Sequence, residues 1–493
     1  MIKANFINAS KAVEMIKDES TICTIGMTLV SASETILKEI EKKFLEKGHP
    51  KNITLVHSCG QSDRERGIQH LAHEGLVKRI IGSHWGLQPR WMEMIAESKV
   101  EAFCLPQGQI AQLYRSMACG LPGKMSKVGL GTFIDPRYEG GKMNERTKPL
   151  KNIVDILQYD NEEYMFYKAI PLDIVIIRGT TCDEMGNMNG RIGKSACGSM
   201  GYAIVDAQYA DYVIAITDNL VPFPNLPASI DQTLVDTVVV VDSIGDPKKI
   251  VSGAIRDSDN PRDLLIAKNA VDVIVNSGYF KDGFVYQTGT GGASLSVTKL
   301  LKEEMIKQNI KASLGLGGIT SQLVSLLEEG LMDALFDTQS FDLDAVRSIA
   351  ENPKHYEISA SFYANPNTPG PAVNNLTFVM LSALEIDKDF NVNVMTKSDG
   401  TINQAVGGHQ DTAAGSKISV ILAPLMRARI PIIVDKVTTV CTPGEAVDVI
   451  CTDYGIVVNP RRKDLIENLT KAGVELKTIE EMKEMERFVG KLK

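Results

Sequence analysis

The sequence has no long apolar run, no closely spaced pair of cysteines and no basic tract. No stretch approaches the roughly 20 apolar residues that a membrane-spanning helix requires. The first residues, Met1 to Asn5, also lack the apolar core of a secretory signal. We therefore expect a cytoplasmic protein that does not enter a membrane.

The eight cysteines are scattered, and the seven histidines form no metal-binding motif such as H-E-x-x-H. Zinc sites usually bring their cysteines in close pairs, and disulfides are rare in a reducing compartment. We therefore predict free thiols, no disulfide and no bound metal. The formal net charge of −8 argues against a nucleic-acid partner. It allows an anionic substrate, because local groups can override the global field.

Short, continuously apolar runs rich in β-branched residues recur along the chain, as expected for strands buried on both faces of a largely parallel sheet. The predicted strands are Ile53–His57, Asp173–Arg178, Tyr212–Thr217, Thr237–Val241, Phe378–Leu381 and Pro431–Val434. Helical patterns lie between several of them, at Ala32–Lys47 and Leu295–Lys307. This alternation predicts an α/β fold. A length of 493 residues predicts two or more domains.

Two pairs of segments look alike across the chain and occur in the same order. The pairs are a glycine-containing turn that leads through a helix to a strand, at 24–60 and 287–318, and an apolar strand followed by an Asp/Asn-rich turn, at 173–190 and 378–393. We therefore predict two similar halves, 1–260 and 261–493, each with an open, largely parallel sheet. The polar, proline-containing stretch 256–261 marks the predicted boundary.

Three glycine-rich segments distinguish the second half, at Gly289–Ser294, Gly315–Gly318 and Gly407–Gly415. We interpret each as a turn, the second one following a strand. Glycine lets the backbone approach a ligand closely, and the amides that begin a helix attract an anion. The spacing G-x-G-G departs from the dinucleotide fingerprint G-x-G-x-x-G, and no P-loop lysine follows. A dinucleotide dehydrogenase is therefore disfavoured, and ordinary βα turns remain the alternative to a binding site.

These turns supply the candidate site residues. The candidates for binding a ligand are Gly26, from the similar turn in the first half, and Gly289, Gly291, Gly292, Gly315, Gly317, Gly318, Gly407, Gly408 and Thr412. We expect Gly291, Gly292, Gly317, Gly318, Gly407 and Gly408 to line one cleft with His409, their amides facing an oxygen that becomes negative during the reaction. His409 and Asp411 are the candidate catalytic residues, because the imidazole could donate to a substrate carboxylate while the aspartate holds its tautomer. The alternative for His409 is a histidine packed in a turn.

Several long and specific strings lie beyond Asp183. They include Gly198–Asp206, Gln287–Ser294, Asp337–Asp342 and Gly407–Ala414. On these strings the chain resembles the citrate lyase α-subunit (citrate CoA-transferase) family. Strings of the first half, Lys78–Gly86 and Val128–Arg137, instead resemble the propionate and short-chain acyl CoA-transferases. Both resemblances imply the CoA-transferase α/β fold, with two similar halves that meet at the active site.

The short-chain transferases use a glutamate nucleophile that follows a strand of the second half. The segment that matches this place is Ala312–Gly318, which contains no glutamate, and a shifted alignment onto Asp337–Ser340 offers only Gln339. A carboxylate that attacks a thioester gives a covalent intermediate, which an amide cannot form. The resemblance to citrate lyase therefore implies that the incoming acid attacks directly, and that the protein supplies orientation and oxyanion stabilisation.

The resemblance implies a CoA-transferase that moves a thioester from acetate to an acid such as citrate. The substrate would be CoA or the phosphopantetheine of an acyl carrier protein, with no permanently bound cofactor. Expected partners are a citrate lyase β-subunit and a carrier protein, and we expect a homo-oligomer. The alternatives are a short-chain acyl-CoA:acetate or propionate transferase and a non-catalytic subunit that docks an acyl carrier. The acceptor acid and the carrier stay open.

Overall fold

The structure is a computed structural model that describes residues 4–245, 258–366, 370, 372–404 and 406–490. Its helices are α1 (Ala9–Glu14), α2 (Glu34–Lys47), α3 (Pro89–Ala96), α4 (Gln107–Ala118), α5 (Gly201–Asp206), α6 (Pro261–Asn276), α7 (Gly292–Gln308), α8 (Ser321–Glu328), α9 (Leu343–Glu351), α10 (Ala360–Tyr363), α11 (His409–Gly415), α12 (Lys463–Lys471) and α13 (Ile479–Val489). None of the helices in these ranges is long and apolar enough to cross a membrane.

The strands alternate with these helices along the chain. In the first half they are β1 (Asn5–Ile7), β2 (Thr21–Thr24), β3 (Ile53–Val56), β4 (Val77–Gly82), β5 (Glu101–Cys104), β6 (Gly123–Ser126), β7 (Val154–Tyr159), β8 (Glu162–Lys168), β9 (Ile174–Arg178), β10 (Thr181–Asp183), β11 (Met188–Asn189), β12 (Tyr212–Thr217), β13 (Leu220–Val221) and β14 (Thr237–Val240). In the second half they are β15 (Phe284–Gln287), β16 (Ala312–Ile319), β17 (Met332–Ser340), β18 (His355–Glu357), β19 (Phe378–Ser382), β20 (Glu385–Asp387), β21 (Val392–Asn393), β22 (Ile418–Leu422), β23 (Met426–Arg427), β24 (Ile430–Pro431), β25 (Ile433–Val434), β26 (Val449–Thr452), β27 (Gly455–Val458) and β28 (Leu476–Lys477).

Two large sheets carry the fold, and their strand orders match. The first sheet has the order β1-β14-β12-β9-β2-β3-β4-β5, and the second has β18-β17-β16-β15-β19-β22-β26-β27-β28. Read from the opposite end, β5-β4-β3-β2-β9-β12-β14 corresponds strand by strand to β18-β17-β16-β15-β19-β22-β26. The small sheets β11-β10-β13 and β21-β20-β25 repeat the same pattern. The predicted α/β class with two similar, largely parallel halves is therefore confirmed.

Burial on both faces explains why the strands are so apolar. All five residues of β9 are buried between the parallel neighbours β2 and β12. The predicted helices at Ala32–Lys47 and Leu295–Lys307 are α2 and α7, which cover the sheets. Two hydrophobic clusters form the main cores, one built mostly from the first half and one from the second. The alternation of strand and helix patterns therefore predicted the layers correctly.

One predicted strand of the parallel sheets is wrong. Pro431–Val434 divides into the end of β24 and the two-residue β25, which pairs with β20 in a small sheet. The backbone N–H groups of Ile432 and Ile433 both donate to the side-chain carboxylate of Glu486 on α13. This contact with the C-terminal helix provides partners that a parallel strand would find in a neighbouring strand.

All strands of the first large sheet precede residue 241, and all strands of the second follow residue 283. The predicted boundary at 260/261 falls between these groups and stays a prediction. Part of the predicted break, Arg256 and Asp257, lies outside the described residues. Immediately after it, Asn260 caps α6 by accepting from the N–H of Arg262, as expected for an asparagine before a proline at the first helical position.

Candidate active site

A cleft of about 310 Å³ opens at the carboxyl ends of the strands of the second sheet. Residues at or after the ends of β15, β16, β17 and β19 line it, as does the turn before α11. The first half contributes His84, Gln107 and Tyr202. Ligands of open parallel sheets bind at this edge, where loops converge above the strands.

The turn before α11 ties the two halves together at the cleft. The N–H of Gly407 donates to the carbonyl of Ser83 at 3.0 Å, and the carbonyl of Gly407 accepts from the N–H of Gln107 at 2.9 Å. Behind it, α4 packs against α10 and α11. These contacts make the cleft an interface between halves, so its shape depends on how they pack.

Most of the candidate residues lie together. Eight of them line the cleft: Gly289, Gly291, Gly317, Gly318, Gly407, Gly408, His409 and Thr412. A Cβ added to Gly291 or Gly408 would meet no heavy atom within 4 Å, which leaves these two backbone positions open to a ligand. Gly291 is also the N-cap of α7, where no side chain caps the helix.

Three candidate glycines lie outside the cleft lining. Gly315 packs against Met332 and Leu335 in the core beside the sheet. Gly292 faces Ser258 and Asp263 at the start of α6. Gly26 lies in the turn after β2 and lines a much smaller cavity of about 10 Å³, which shares Tyr202, Thr338 and Gln339 with the cleft.

The segment Gly315–Gly318 is part of strand β16 and is not a turn after it, which corrects the prediction. The register between β16 and β17 shifts between Gly317 and Gly318, and Gly317 has φ +101°. Such an irregularity needs a residue without Cβ. A Cβ on Gly317 would also lie 3.1 Å from the hydroxyl of Tyr363. The glycines therefore bend a strand at the cleft instead of ending it.

His409 lies in the cleft, but both of its ring nitrogens already have partners. Nε2 lies 2.9 Å from the carbonyl of Ser382 and Nδ1 lies 2.7 Å from the hydroxyl of Thr442. The carbonyl can only accept, so Nε2 carries the proton and Nδ1 accepts from Thr442. Burial lowers the pKa of His409 to about 4. In this structure His409 therefore has no free ring N–H for the predicted hydrogen bond to a substrate.

Asp411 does not contact His409, so its predicted role in holding the tautomer is wrong. On α11 it points to the opposite side, where its carboxylate accepts from the N–H of Gly108 at 3.0 Å and from the side chain of Gln109. Burial raises the pKa of Asp411 to about 6. One helical turn presents successive residues to different sides, which is why two residues so close in sequence reach different partners.

No Asp, Glu, Lys or Arg lines the cleft in the described part of the chain. Its polar groups are instead amides, hydroxyls and imidazoles. Tyr363 donates to the side chain of Gln287 at 2.9 Å, and Gln107 donates to the hydroxyl of Tyr202. Gln339, the residue offered by the shifted alignment, accepts from the buried thiol of Cys59 at 3.3 Å. The described lining of the cleft thus offers neutral donors and no carboxylate nucleophile.

Sequence reasoning missed several cleft residues. They are His84, Gln107, Tyr202, Gln287, Thr338, Tyr363 and Gln404. Most of them are single polar residues inside ordinary elements, and only the packing of the two halves collects them. Four of them, His84, Tyr202, Gln287 and Thr338, stood within strings that carried the family resemblances, which was the available signal.

The comparisons with known proteins agree with this geometry. The family model for Coenzyme A transferase matches residues 6–241, and the model for Citrate lyase, alpha subunit (CitF) matches residues 164–493. The citrate lyase alpha chain of Klebsiella pneumoniae is 52% identical over 392 residues, which is 78% of this chain and 73% of that one. The caffeate CoA-transferase of Acetobacterium woodii is 38% identical over 248 residues, 48% of this chain and 46% of that one.

A solved structure of the alpha subunit of citrate lyase from Streptococcus mutans, in complex with citrate, has a TM-score of 0.80 and 39% identity, covering 99% of this chain and 86% of that one. Two matching halves with a shared cleft thus define an enzyme of the CoA-transferase class. More narrowly, the chain belongs to the citrate lyase α-subunit family.

Proposed function

We propose that the enzyme transfers the carrier thiol of an acetyl-thioester to citrate. Acetyl-thioester and citrate thereby give citryl-thioester and acetate. The carrier thiol is that of CoA or of the phosphopantetheine of an acyl carrier protein. Two relatives support citrate as the acceptor: the K. pneumoniae protein is a citrate lyase alpha chain, and the S. mutans structure contains citrate.

The observation that carries the mechanism is the absence of any carboxylate from the cleft lining in the described residues. Transfer then proceeds directly between substrates. A carboxylate oxygen of citrate attacks the thioester carbonyl, the C–S bond breaks and the thiolate leaves, which gives a mixed acetyl–citryl anhydride. The thiolate next attacks the citryl carbonyl of this anhydride, its C–O bond breaks and acetate leaves. The two steps take up and release no net proton.

Both steps pass through a tetrahedral oxyanion, which fixed amide donors stabilise best. We assign this role to the backbone at Gly289 and Gly291, at Gly317 and Gly318, and at Gly408, because the N–H of Gly407 is already bonded to Ser83. The open backbone at Gly291 and Gly408 supports this assignment. The cleft polar side chains hold the two substrates in position, which contributes through proximity.

Acetate release from acetyl-CoA tests the proposal. Purified protein is mixed with acetyl-CoA and citrate, and acetate and citryl-CoA are quantified, with propionate and malate as parallel acceptors. Citrate-dependent acetate release in step with citryl-CoA supports the proposal. Transfer to propionate but not to citrate would instead support the short-chain acyl transferase, which the match of residues 6–241 to the Coenzyme A transferase model keeps as the second candidate.

The carrier and the partners form the second part of the proposal. We propose that the chain works beside a citrate lyase β-subunit and an acyl carrier protein, since relatives are alpha chains of citrate lyase. Repeating the assay with an acetylated carrier protein compares the two thiols. A much lower KM for the carrier than for CoA would identify the carrier as the natural substrate.

A further inference from the structure

The cleft contains two histidines, and they differ in how their rings are used. Both ring nitrogens of His409 have protein partners. His84, which comes from the first half, lines the same cleft. Its Nδ1 atom is buried beside Gly60 and has no hydrogen-bond partner among the residues that the structure describes. A buried polar atom without a partner costs free energy, so the arrangement of His84 is explained by something other than the stability of the free protein.

The backbone around His84 holds it in one place. The preceding residue, Ser83, accepts from the N–H of Gly407 in the second half at 3.0 Å. The following residue, Trp85, is fully buried and donates through its indole N–H to Nε2 of His57 at 3.1 Å. The residues on both sides of His84 are thus held in place, Ser83 by the second half and Trp85 by the core of the first half.

Two glycines leave a slot for the ring. A Cβ placed on Gly60 would lie 2.5 Å from Nδ1 of His84, which is closer than real Cβ contacts allow. A Cβ on Gly86 would lie 3.4 Å from Cε1 of the ring. Gly60 does not have a positive φ, so it is the ring, and not the backbone conformation, that requires glycine there.

No charged side chain of the described cleft faces the ring. Its titratable neighbours are His57, the buried thiol of Cys59, and, across the cleft, His409, Tyr202 and Tyr363. Burial lowers the pKa of His84 to about 4 and that of His57 also to about 4, and it raises the pKa of both tyrosines and of Cys59. All of these groups are therefore neutral near pH 7.

We propose that the ring of His84 binds a carboxylate of the acceptor acid and takes up a proton with it. This inference rests on the proposed function and names the residue that recognises the acid. A carboxylate entering a cleft whose described lining has no Lys or Arg gains a charged partner if the ring is protonated. Such a pair is stronger than a neutral hydrogen bond. Acyl-CoA binding does not involve this carboxylate, so His84 discriminates between the two substrates.

Calorimetric titration with citrate, at pH 6 and pH 8, tests the inference. The wild type is compared with His84→Gln, with His409→Gln, and with His49→Gln as the control outside the cleft. Citrate should bind the wild type and His49→Gln at least tenfold more tightly at pH 6 than at pH 8, after correction for the protonation of free citrate between these pH values. His84→Gln should weaken citrate about tenfold at pH 6 and lose this extra pH dependence, whereas His409→Gln should keep it. The KM for acetyl-CoA should change less than twofold in His84→Gln.

Gly60→Ala provides a second route to the same result if His84→Gln is poorly folded. Its Cβ displaces the ring without removing it, and it should reduce citrate affinity and pH dependence in the same way. Unchanged citrate binding in either folded variant, or a loss of pH dependence in His409→Gln instead, would overturn the role of His84 and leave the proposed function standing. A wild type that neither binds citrate nor releases acetate would overturn both.

Discussion

The two halves share a strand order, but the turns after the corresponding strands β2 and β15 differ in structure. In the first half, the turn after β2 folds back on itself: Met27 and Val30 bond to each other through two backbone hydrogen bonds, and a Cβ on Gly26 would lie 2.9 Å from backbone atoms of Val30 and Ala32. In the second half, the turn after β15 is short, and the backbone at Gly291 stays open. The closed turn borders about 10 Å³ of space and the open one about 310 Å³.

The difference shows how one fold, used twice, yields one cleft. In the second half, the space at the carboxyl ends of the strands is open. In the first half, the corresponding space is nearly filled, and this half contributes three side chains to the cleft, His84, Gln107 and Tyr202. Glycine in the first turn is therefore required by the packing of the backbone, and we propose that Gly291 in the second turn leaves room for a ligand. Substitutions of a glycine in each of the two turns should separate these roles.

The largest effect is expected at the closed turn. Gly26 has φ +150°, and its Cβ position lies against backbone, so Gly26→Ala should lower the free energy of unfolding by about 2 kcal/mol or more. The midpoint of urea unfolding measures the change. Stability equal to the wild type would contradict the account of this turn as structural.

The contact between the halves should show a pH-dependent effect. Burial raises the pKa of Asp411 to about 6, above its ordinary value of 3.8. A carboxyl with a raised pKa stabilises the fold below pH 3.8, and this contribution is lost as the pH rises to about 6. Asp411→Asn removes this titration. The free energy of unfolding of the wild type, relative to that of the variant, should therefore fall by about 2 kcal/mol between pH 4 and pH 6.5, since one pKa unit corresponds to about 1.36 kcal/mol.

Urea unfolding of both proteins at several pH values measures this difference. The carboxyl groups common to both proteins cancel in the comparison. A difference that stays constant with pH would mean that Asp411 is ionised throughout and that Lys124, the nearby buried amine, compensates for its charge.

The open turn should respond in activity more than in stability. Gly291→Ala fits without contacts and, at a helix N-cap, should cost under about 1 kcal/mol of stability. If the backbone faces the thioester, the added methyl group should lower the rate of transfer about tenfold, or 1.4 kcal/mol of barrier. Acetate release under saturating substrates provides the measurement. A wild-type rate in a folded variant would place the oxyanion elsewhere.

The fold was largely predictable because buried parallel strands are short and apolar. Ile174–Arg178 and Tyr212–Thr217 show this pattern, and both lie inside the first sheet. Pro431–Val434 has the same composition, but Glu486 from a distant helix pairs with its backbone. Composition does not reveal such a partner. The family resemblance was also readable from the sequence, since the strings that carry it are long.

The site was only partly predictable. A glycine in the sequence indicates a backbone that a ligand could approach, but it does not show whether that backbone faces a cleft or the core. Gly291 and Gly408 line the cleft, whereas Gly315, in an equally glycine-rich segment, packs in the core. His409 lines the cleft, yet its hydrogen bonds to Ser382 and Thr442 involve residues distant in sequence. Conversely, His84 stands in a string that carries a family resemblance, but the string alone does not show that the packing of the halves brings this side chain to the cleft.

The central claim is that transfer occurs between substrates in a cleft that supplies no carboxylate. Mass spectrometry of the protein after exposure to acetyl-CoA, followed by hydroxylamine or borohydride, tests it most directly. The account predicts an unmodified chain, because Gln339 cannot form an acyl anhydride and no Asp or Glu lines the described cleft. A label on any glutamate, such as Glu328, Glu329, Glu357 or Glu385, would contradict direct transfer and place the mechanism with the short-chain acyl transferases.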